Sequence, residues 1–355
     1  MCGNFEPMLH RVALALCLTL GLLVPALGQG TEFPTVGCHP LSHGVETSAS
    51  GLNAAGFVVG SCQPIENSPQ IGFLRDPSGT VTFFSAPGPQ PDTLPEAINN
   101  SNVVTGFYSF SGSTDSHGFV FRDGVVTPFD VPGSTSTVPT GINDSGVITG
   151  NFVEGSSGHG FLRQADGSFE KIDVPGYLLS PMAINASGEI TGAAYYDEVH
   201  THGFIRDTDG NVTIFDPPGD THVQTYPFSI NSSGLIVGVW YDVNSVRHGM
   251  MRDPMGNVTS FDVPHARTVA QTGTMATSVN DSGEIVGWAL SDTGMVFLFA
   301  IFGTNAPIEF VDPDAITNGF GRGTFAIQVN AGGAIIGSYT KANLEYGSFN
   351  LPAVP

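Results

Sequence analysis

Four histidines recur along the chain in one phrase: His117, His159, His202 and His248, each followed by Gly and in three cases then by Phe. Four imidazoles could ring a metal or carry protons. However, Ile71 and Tyr346 stand at the same place in the first and last copies. That exchange suits a hydrogen bond inside each repeat and would spoil a ligand set, so no metal and no cofactor is expected. Arginines recur four or five residues further on, at Arg75, Arg122, Arg163, Arg206 and Arg252. Aspartates recur after the next segment, at Asp130, Asp173, Asp216 and Asp262, with Asp312 in a looser copy. A guanidinium forks onto a carboxylate, so Arg–Asp pairs inside or between repeats are the expected use of both sets. An acid–base dyad is the chemical alternative, but catalysis needs one site and these residues come in many copies. No catalytic residue is assigned.

Residues that do not repeat are the better candidates for function. Copies four and five carry Tyr195, Tyr196, Asp197, Glu198 and His200, then Trp240, Tyr241 and Asp242 with Arg247. Aromatic rings beside carboxylates bind sugars or a cation. Paired carboxylates at about 5–10 Å would hydrolyse a glycoside. The corresponding loops of other copies hold Glu66, Asp115, Glu154, Asp292 and Glu345, which would make an acidic face if the loops share one. The run Asp207-Thr-Asp209-Gly-Asn211 has part of a calcium loop but lacks its terminal Glu and full spacing, and reads as a turn. The chain has no glycine-rich phosphate loop, nucleophile elbow, His-Glu-x-x-His or Cys-x-x-Cys.

The elements that must position these residues are strands. An asparagine opening an Asn-x-x-Gly turn occurs seven times, at Asn53, Asn99, Asn143, Asn185, Asn231, Asn280 and Asn330, at intervals of 42 to 50 residues. Asn102 replaces the turn glycine in copy two. Each copy divides into an apolar segment ending on the Asn, a second strand such as Leu235 to Tyr241, a third of the form His-Gly-Phe-x-Arg-Asp, and a fourth such as Val212 to Asp216. Proline after the fourth, as in Pro217-Pro-Gly219, ends the ladder. Four short antiparallel strands in such a period make one propeller blade. The prediction is an all-β, seven-bladed β-propeller of four-stranded antiparallel blades over residues 29–355. A second glycine falls inside the second strand of every copy, at Gly60, Gly106, Gly150, Gly192, Gly238, Gly287 and Gly337. Glycine weakens a strand, so its regular use implies close backbone approach. Copy seven ends after its third strand, and the unassigned segment Glu32-Phe-Pro-Thr-Val36 resembles a fourth. It is expected to close the last blade.

Residues 1–28 read as a secretory signal. Arg11 precedes an apolar core from Val12 to Leu23, and Ala26 and Gly28 make a small-residue cleavage site. The core is shorter than the ~20 residues of a spanning helix, and no second one follows. Cys38 and Cys62 then remain, and in an exported chain they are expected to form one disulfide. Gly 46 and Pro 25 suit many turns. The net charge of −21 repels phosphate backbones and argues against nucleic acid as a partner.

The His-Gly-Phe-x-Arg and Ile-Asn-x-x-Gly-x-Ile-x-Gly phrases, over residues 50–350, resemble the HAF-type extracellular repeats of bacterial exported proteins. Those usually read His-Ala-Phe-Leu-Trp; here Gly replaces Ala and Arg replaces Trp. The resemblance implies export and a propeller-like fold, and carries no settled activity. The expected function is an exported binding or scaffold protein, secreted or periplasmic and monomeric, contacting a polysaccharide or a protein through a loop face or a central channel. The alternative is an extracellular hydrolase or lyase using carboxylates of the variable loops.

Overall fold

The asparagine turns set the geometry of the whole chain. In a computed structural model, residues 31–32, 47–64, 68–197, 199–218, 224–303, 305–311, 322–340 and 346–351 are described. All the regular elements among them are strands, and no helix occurs. In unit four, Leu178–Ile184 and Ile190–Tyr195 flank the Asn185 turn, followed by Thr201–Arg206 and Val212–Phe215, all paired antiparallel in order. Unit two repeats the pattern with Pro91–Ile98, Val104–Phe110, Ser116–Arg122 and Val125–Phe129. The last three strands in the chain are Arg322–Val329, Ile335–Thr340 and Tyr346–Leu351. Thr31 and Glu32 pair antiparallel with Asn350 and Phe349 beside the last of these. Residues 33–36 of the expected closing strand, the signal segment 1–28, and Cys38 lie outside the described residues.

Two sheets are larger than four strands. Thr201 bridges to Gln224 in parallel, and Met295 and Val296 bridge to Arg322 and Gly323. A first strand here starts against the third strand of the preceding unit. At Gly323 a Cβ would lie 1.9 Å from the Val296 carbonyl oxygen, so only glycine permits that approach.

The turn asparagines are not in the left-handed region. That role falls to the fourth turn position, Gly in six copies and Asn102 (φ 59°) in unit two. Each asparagine instead serves as a hydrogen-bond node. Asn231 Oδ1 accepts from the amides of Ser233 and Leu235 at 3.1 and 2.9 Å, and Nδ2 donates to the Asn280 carbonyl at 3.0 Å. The same bond runs from Asn53 to Asn99, then on to Asn143, Asn185, Asn231, Asn280 and Asn330, and returns from Asn330 to Asn53. All seven side chains are buried. A buried amide left unpaired would cost about 1–3 kcal/mol, so the circuit fixes each unit against the next.

A second shared feature is a β-bulge in the first strand of every unit. The ladder skips one residue, between Pro95 and Ala97 in unit two and between Pro181 and Ala183 in unit four, and likewise elsewhere. The strand glycines face these bulges. A Cβ on Gly192 would lie 2.1 Å from the Ser180 carbonyl oxygen, and Gly106 and Gly150 are as tightly placed at 2.2 Å.

The core lies between units. Phe73, Phe119, Phe161 and Phe204, from the His-Gly-Phe phrase and its copy-one equivalent, are fully buried, and Met250 and Phe299 take the same place. Val59 and Phe84 of unit one pack with Ile98, Val104 and Phe119 of unit two. Each such ring contributes about 1.5–3 kcal/mol of burial.

The expected Arg–Asp pairs are replaced by His–Asp pairs. His117, His159, His202 and His248 hold Asp130, Asp173, Asp216 and Asp262 through Nδ1 at 3.0, 2.6, 2.7 and 2.9 Å. The register decides this. Gly203 is opposite Phe215, which sets His202 opposite Asp216, whereas Arg206 lies four residues further along the strand. At about 3.3 Å per residue it is out of reach. Arg206 pairs with Glu170 of unit three instead. Arg163 lies 4.8 Å over the Phe129 ring and Arg252 5.2 Å over Phe215, each crossing to the preceding unit. Arg122 is exposed and Asp312 lies outside the described residues. The Asp262 hydrogen bond raises the His248 pKa above its ordinary value, against an opposing effect of burial.

Candidate functional site

The seven bulges bring one residue from each unit into the lining of a single central cavity. In chain order these are Ser50, Glu96, Thr140, Met182, Phe228, Thr277 and Ile327. The backbone position repeats and the residue type does not. The cavity measures about 300 Å3. It continues towards the asparagine circuit through Ile98, Ile142, Ile184, Ile230 and Val279, which also line the space of about 200 Å3 bounded by the turns. Three of the ring hydroxyls donate across unit boundaries: Ser50 to the Pro95 carbonyl at 2.6 Å, Thr140 to Pro181 at 2.9 Å and Thr277 to Ala326 at 3.2 Å. Among the described residues Glu96 is the only ionisable side chain in the lining, and burial alone raises its carboxyl from the ordinary 4.5 to about 7.

Beside this cavity a row of half-buried rings crosses units four to seven. Tyr195 meets Tyr226 at 6.5 Å between ring centres, and Tyr226 meets Tyr241 edge-on at 6.0 Å. The Arg247 guanidinium bridges Tyr241 and Trp288 at 5.8 and 5.3 Å, and its Nε donates to the Tyr241 hydroxyl at 3.3 Å. Trp288 meets Phe325 edge-on at 5.3 Å. Trp288 and Phe325 line a cleft of about 450 Å3 together with Thr277 and Ile327, which also belong to the central cavity, so the two adjoin. At the other end Tyr195 lines a cleft of about 570 Å3 with Tyr177, Leu178, Tyr196 and Asp197. Tyr177 and Tyr196 are 5.6 Å apart, and Tyr196 is 61 % exposed.

The sequence candidates separate into two groups. Tyr195, Tyr196 and Asp197 share the unit-four cleft, and Tyr241 joins the row. Asp197 accepts from His200 Nδ1 at 2.8 Å and from the amides of Val199 and His200; the imidazole bond foremost holds its carboxyl below the ordinary range. Trp240 is turned away from the row, because successive residues of a strand face opposite sides. It stacks on His248 at 4.7 Å and donates to Ser260 at 2.8 Å. Asp242 holds its own turn by accepting the amides of Asn244 and Val246, and lies 3.8 Å from His248 Nε2. Asp197 and Asp242 therefore each belong to their own hairpin, with no shared partner among the described residues. Glu198, Glu66 and Glu345 lie outside those residues. Glu154 is engaged by Lys171 at 2.9 Å. No three His, Cys, Asp or Glu side chains gather as a metal site among the described residues. Sequence reasoning missed Tyr177, Tyr226, Trp288, Phe325 and Glu96. Their only signal was an unusual residue at a position otherwise shared by the copies.

No protein-family model matches the chain, and no curated protein matches it. Solved structures do. Virginiamycin B lyase from Staphylococcus aureus is similar at 13% identity with a TM-score of 0.56, covering 86% of this chain and 95% of the other. A catalytically inactive form of that lyase with quinupristin gives a TM-score of 0.57 at 12% identity, over 91% and 98% of the two chains. The β-propeller domain of the Trilobed protease from Pyrococcus furiosus, described as having an open velcro topology, gives 0.59 at 10% identity over 86% and 95%. These likenesses show the fold: the chain is an all-β protein of the β-propeller kind.

Proposed function

We propose that this chain is an exported binding protein that holds an extended glycan along the row from Tyr195 to Phe325. The observation that carries the reading is the row itself. Its rings come from four successive units, with ring contacts of 5.3–6.5 Å inside each half of the row and the Arg247 guanidinium joining the halves between Tyr241 and Trp288, and each ring is only half-buried. Aromatic faces accept the C–H faces of sugars, and Tyr and Arg add hydrogen bonds at the edges. A binding role is also favoured by Asp197 and Asp242, which each serve their own hairpin.

The architecture proposed with it is one closed ring of seven blades, the last completed by the segment around Thr31–Glu32. The hydrogen-bond circuit through seven asparagines and the pairing of Thr31 with Asn350 support that reading. Export through residues 1–28, a Cys38–Cys62 tether on unit one, membership of the HAF-type repeat class and a monomeric state belong to the same proposal. The test is a glycan array probed with the mature protein, followed by titration of any binder. Trp288→Ala and Tyr241→Ala should each weaken binding by about tenfold or more. Binding to no glycan, or unchanged affinity in both variants, would refute the reading.

A further inference from the structure

The central cavity contains an ionisable group that the fold does not use. Glu96 is the extra residue of the unit-two bulge and lines the cavity. Among the described residues nothing donates a hydrogen bond to its carboxyl, and no basic side chain lines the space. The seven first strands hold only three other ionisable residues: Asp92, which accepts from the Gln70 amide at 2.8 Å, Tyr226 in the rim row, and Arg322. An unpaired, half-buried carboxyl costs stability and persists where something else makes use of it.

The ring around Glu96 is divided by chemistry. Its two neighbours are Ser50 and Thr140. Their hydroxyl protons are committed to the Pro95 and Pro181 carbonyls, so each hydroxyl oxygen faces a ligand only as an acceptor. Glu96 and these two oxygens form an arc of acceptors with no donor. The other four positions are Met182, Phe228, Thr277 and Ile327, three apolar side chains with the Thr277 hydroxyl between Phe228 and Ile327, and Phe228 is three units away from Glu96. The Glu96 side therefore calls for positive charge or N–H donors, and Met182 and Phe228 offer carbon among the polar Ser229, Ser278 and Gln328. An aromatic face adds attraction for a cation, and a thioether packs adaptably around an irregular group. The volume of about 300 Å3 lies at the small end of ligand sites, which run to about 1,000 Å3. A hard metal ion would need six or more oxygen ligands, and one carboxylate is a poor start on that set.

We infer that the central cavity binds a small organic monocation, a primary or methylated ammonium, with its charge on Glu96 and its carbon body against Phe228 and Met182. The site is separate from the rim row and stands whether or not a glycan binds there. The carboxyl lies at about 7 and is the one ionisable group in the cavity among the described residues, with Asp144 and Asp281 lining the adjoining space at the turns, so the cation displaces the Glu96 proton and affinity rises with pH.

The experiment is calorimetric titration of the full mature chain with choline and with tetramethylammonium. The controls are 3,3-dimethylbutanol (the neutral isostere of choline) and calcium chloride. Choline should bind, and the neutral alcohol should bind at least about tenfold more weakly. Choline affinity should fall roughly 30-fold between about pH 8 and about pH 5.5, following the ionised fraction of the carboxyl. Glu96→Gln should lose at least about tenfold and Phe228→Leu about threefold. Asp123→Asn removes one negative charge from an exposed turn on the outer edge (φ 52°), and should change nothing. Equal binding of the neutral isostere, unchanged binding by Glu96→Gln, binding of calcium alone, or no binding of either cation would each overturn the inference.

Discussion

Replacing Glu96 by glutamine should stabilise the protein at alkaline pH and leave it unchanged in acid. The side chain keeps its size and loses its charge, so packing around Thr140 and Ser50 is preserved. In the folded chain the carboxyl lies at about 7, against an ordinary value of 4.5, because burial penalises the ionised form and nothing compensates. Its folded value is raised, so its contribution is fully present below about 4.5 and is lost as pH rises through about 7. In that window the folded state keeps a proton that the unfolded chain releases. The difference of about 2.5 pH units corresponds to about 3 kcal/mol at full ionisation. Glutamine has no proton to lose. The variant should therefore match the wild type near pH 4 and exceed it by about 3 kcal/mol near pH 8, or roughly 4 °C in thermal midpoint. His248 and the other titrating groups are common to both proteins and cancel in the difference. The assay is urea unfolding of both proteins at a series of pH values. Parallel curves, or a wild type more stable than the variant at pH 8, would refute the placement of Glu96 as an unpaired, half-buried carboxyl.

The scaffold makes further outcomes testable at Asn231, His248 and two glycines. Asn231→Ala removes the Asn231 partner of the Ser233 and Leu235 amides and of the Asn280 carbonyl, which keeps the Gly283 amide, so chemical denaturation should show a loss of about 1–3 kcal/mol. Asn231→Asp keeps the acceptor but sets a carboxylate against that carbonyl; its defect should grow as pH rises above about 3.9, and a pH-independent defect would count against the circuit. His248 has a raised pKa through Asp262, so its stabilisation is full below about 6.5 and fades as pH rises through the folded value. The stability difference between wild type and His248→Gln should shrink accordingly between pH 6 and pH 9. Gly192→Ala would place a Cβ 2.1 Å from the Ser180 carbonyl oxygen and should cost about 2 kcal/mol or more. Gly158→Ala, with nothing within 4 Å, should stay within about 0.5 kcal/mol of wild type.

Strand order and antiparallel pairing were legible because turn chemistry and apolar runs repeat at a fixed spacing. The roles of individual repeated residues were less so. Asparagine in Asn-x-x-Gly signals a turn, and the turn is real; that its amide also reaches the next unit depends on a neighbour 42 to 50 residues away. The partner of each aspartate was mistaken because Arg is the usual fork for a carboxylate, while the strand register sets His opposite it. That register could have been counted from the hairpin. The split between Trp240 and Tyr241 follows from the same alternation of a strand's two faces, and so was also available from sequence.

The bulge was harder to read, although it left a trace. Pro95, Pro139, Pro181 and Pro227 stand immediately before the extra residue in four units. Proline inside a strand donates nothing to the ladder and is at home beside a bulge. The strand glycine opposite supplies the other half of the signal, since a Cβ there would strike the bulged strand's carbonyl. Proline and glycine together mark a residue that the ladder releases towards the centre. Without the backbone, Glu96 and Phe228 are two unrelated residues far apart in sequence. With it, they occupy one repeated position in a shared cavity, and their difference in chemistry becomes informative. Repetition argued that the histidines and aspartates are scaffold. By the same argument, an inward position where the residue types diverge is where specificity for a ligand can reside.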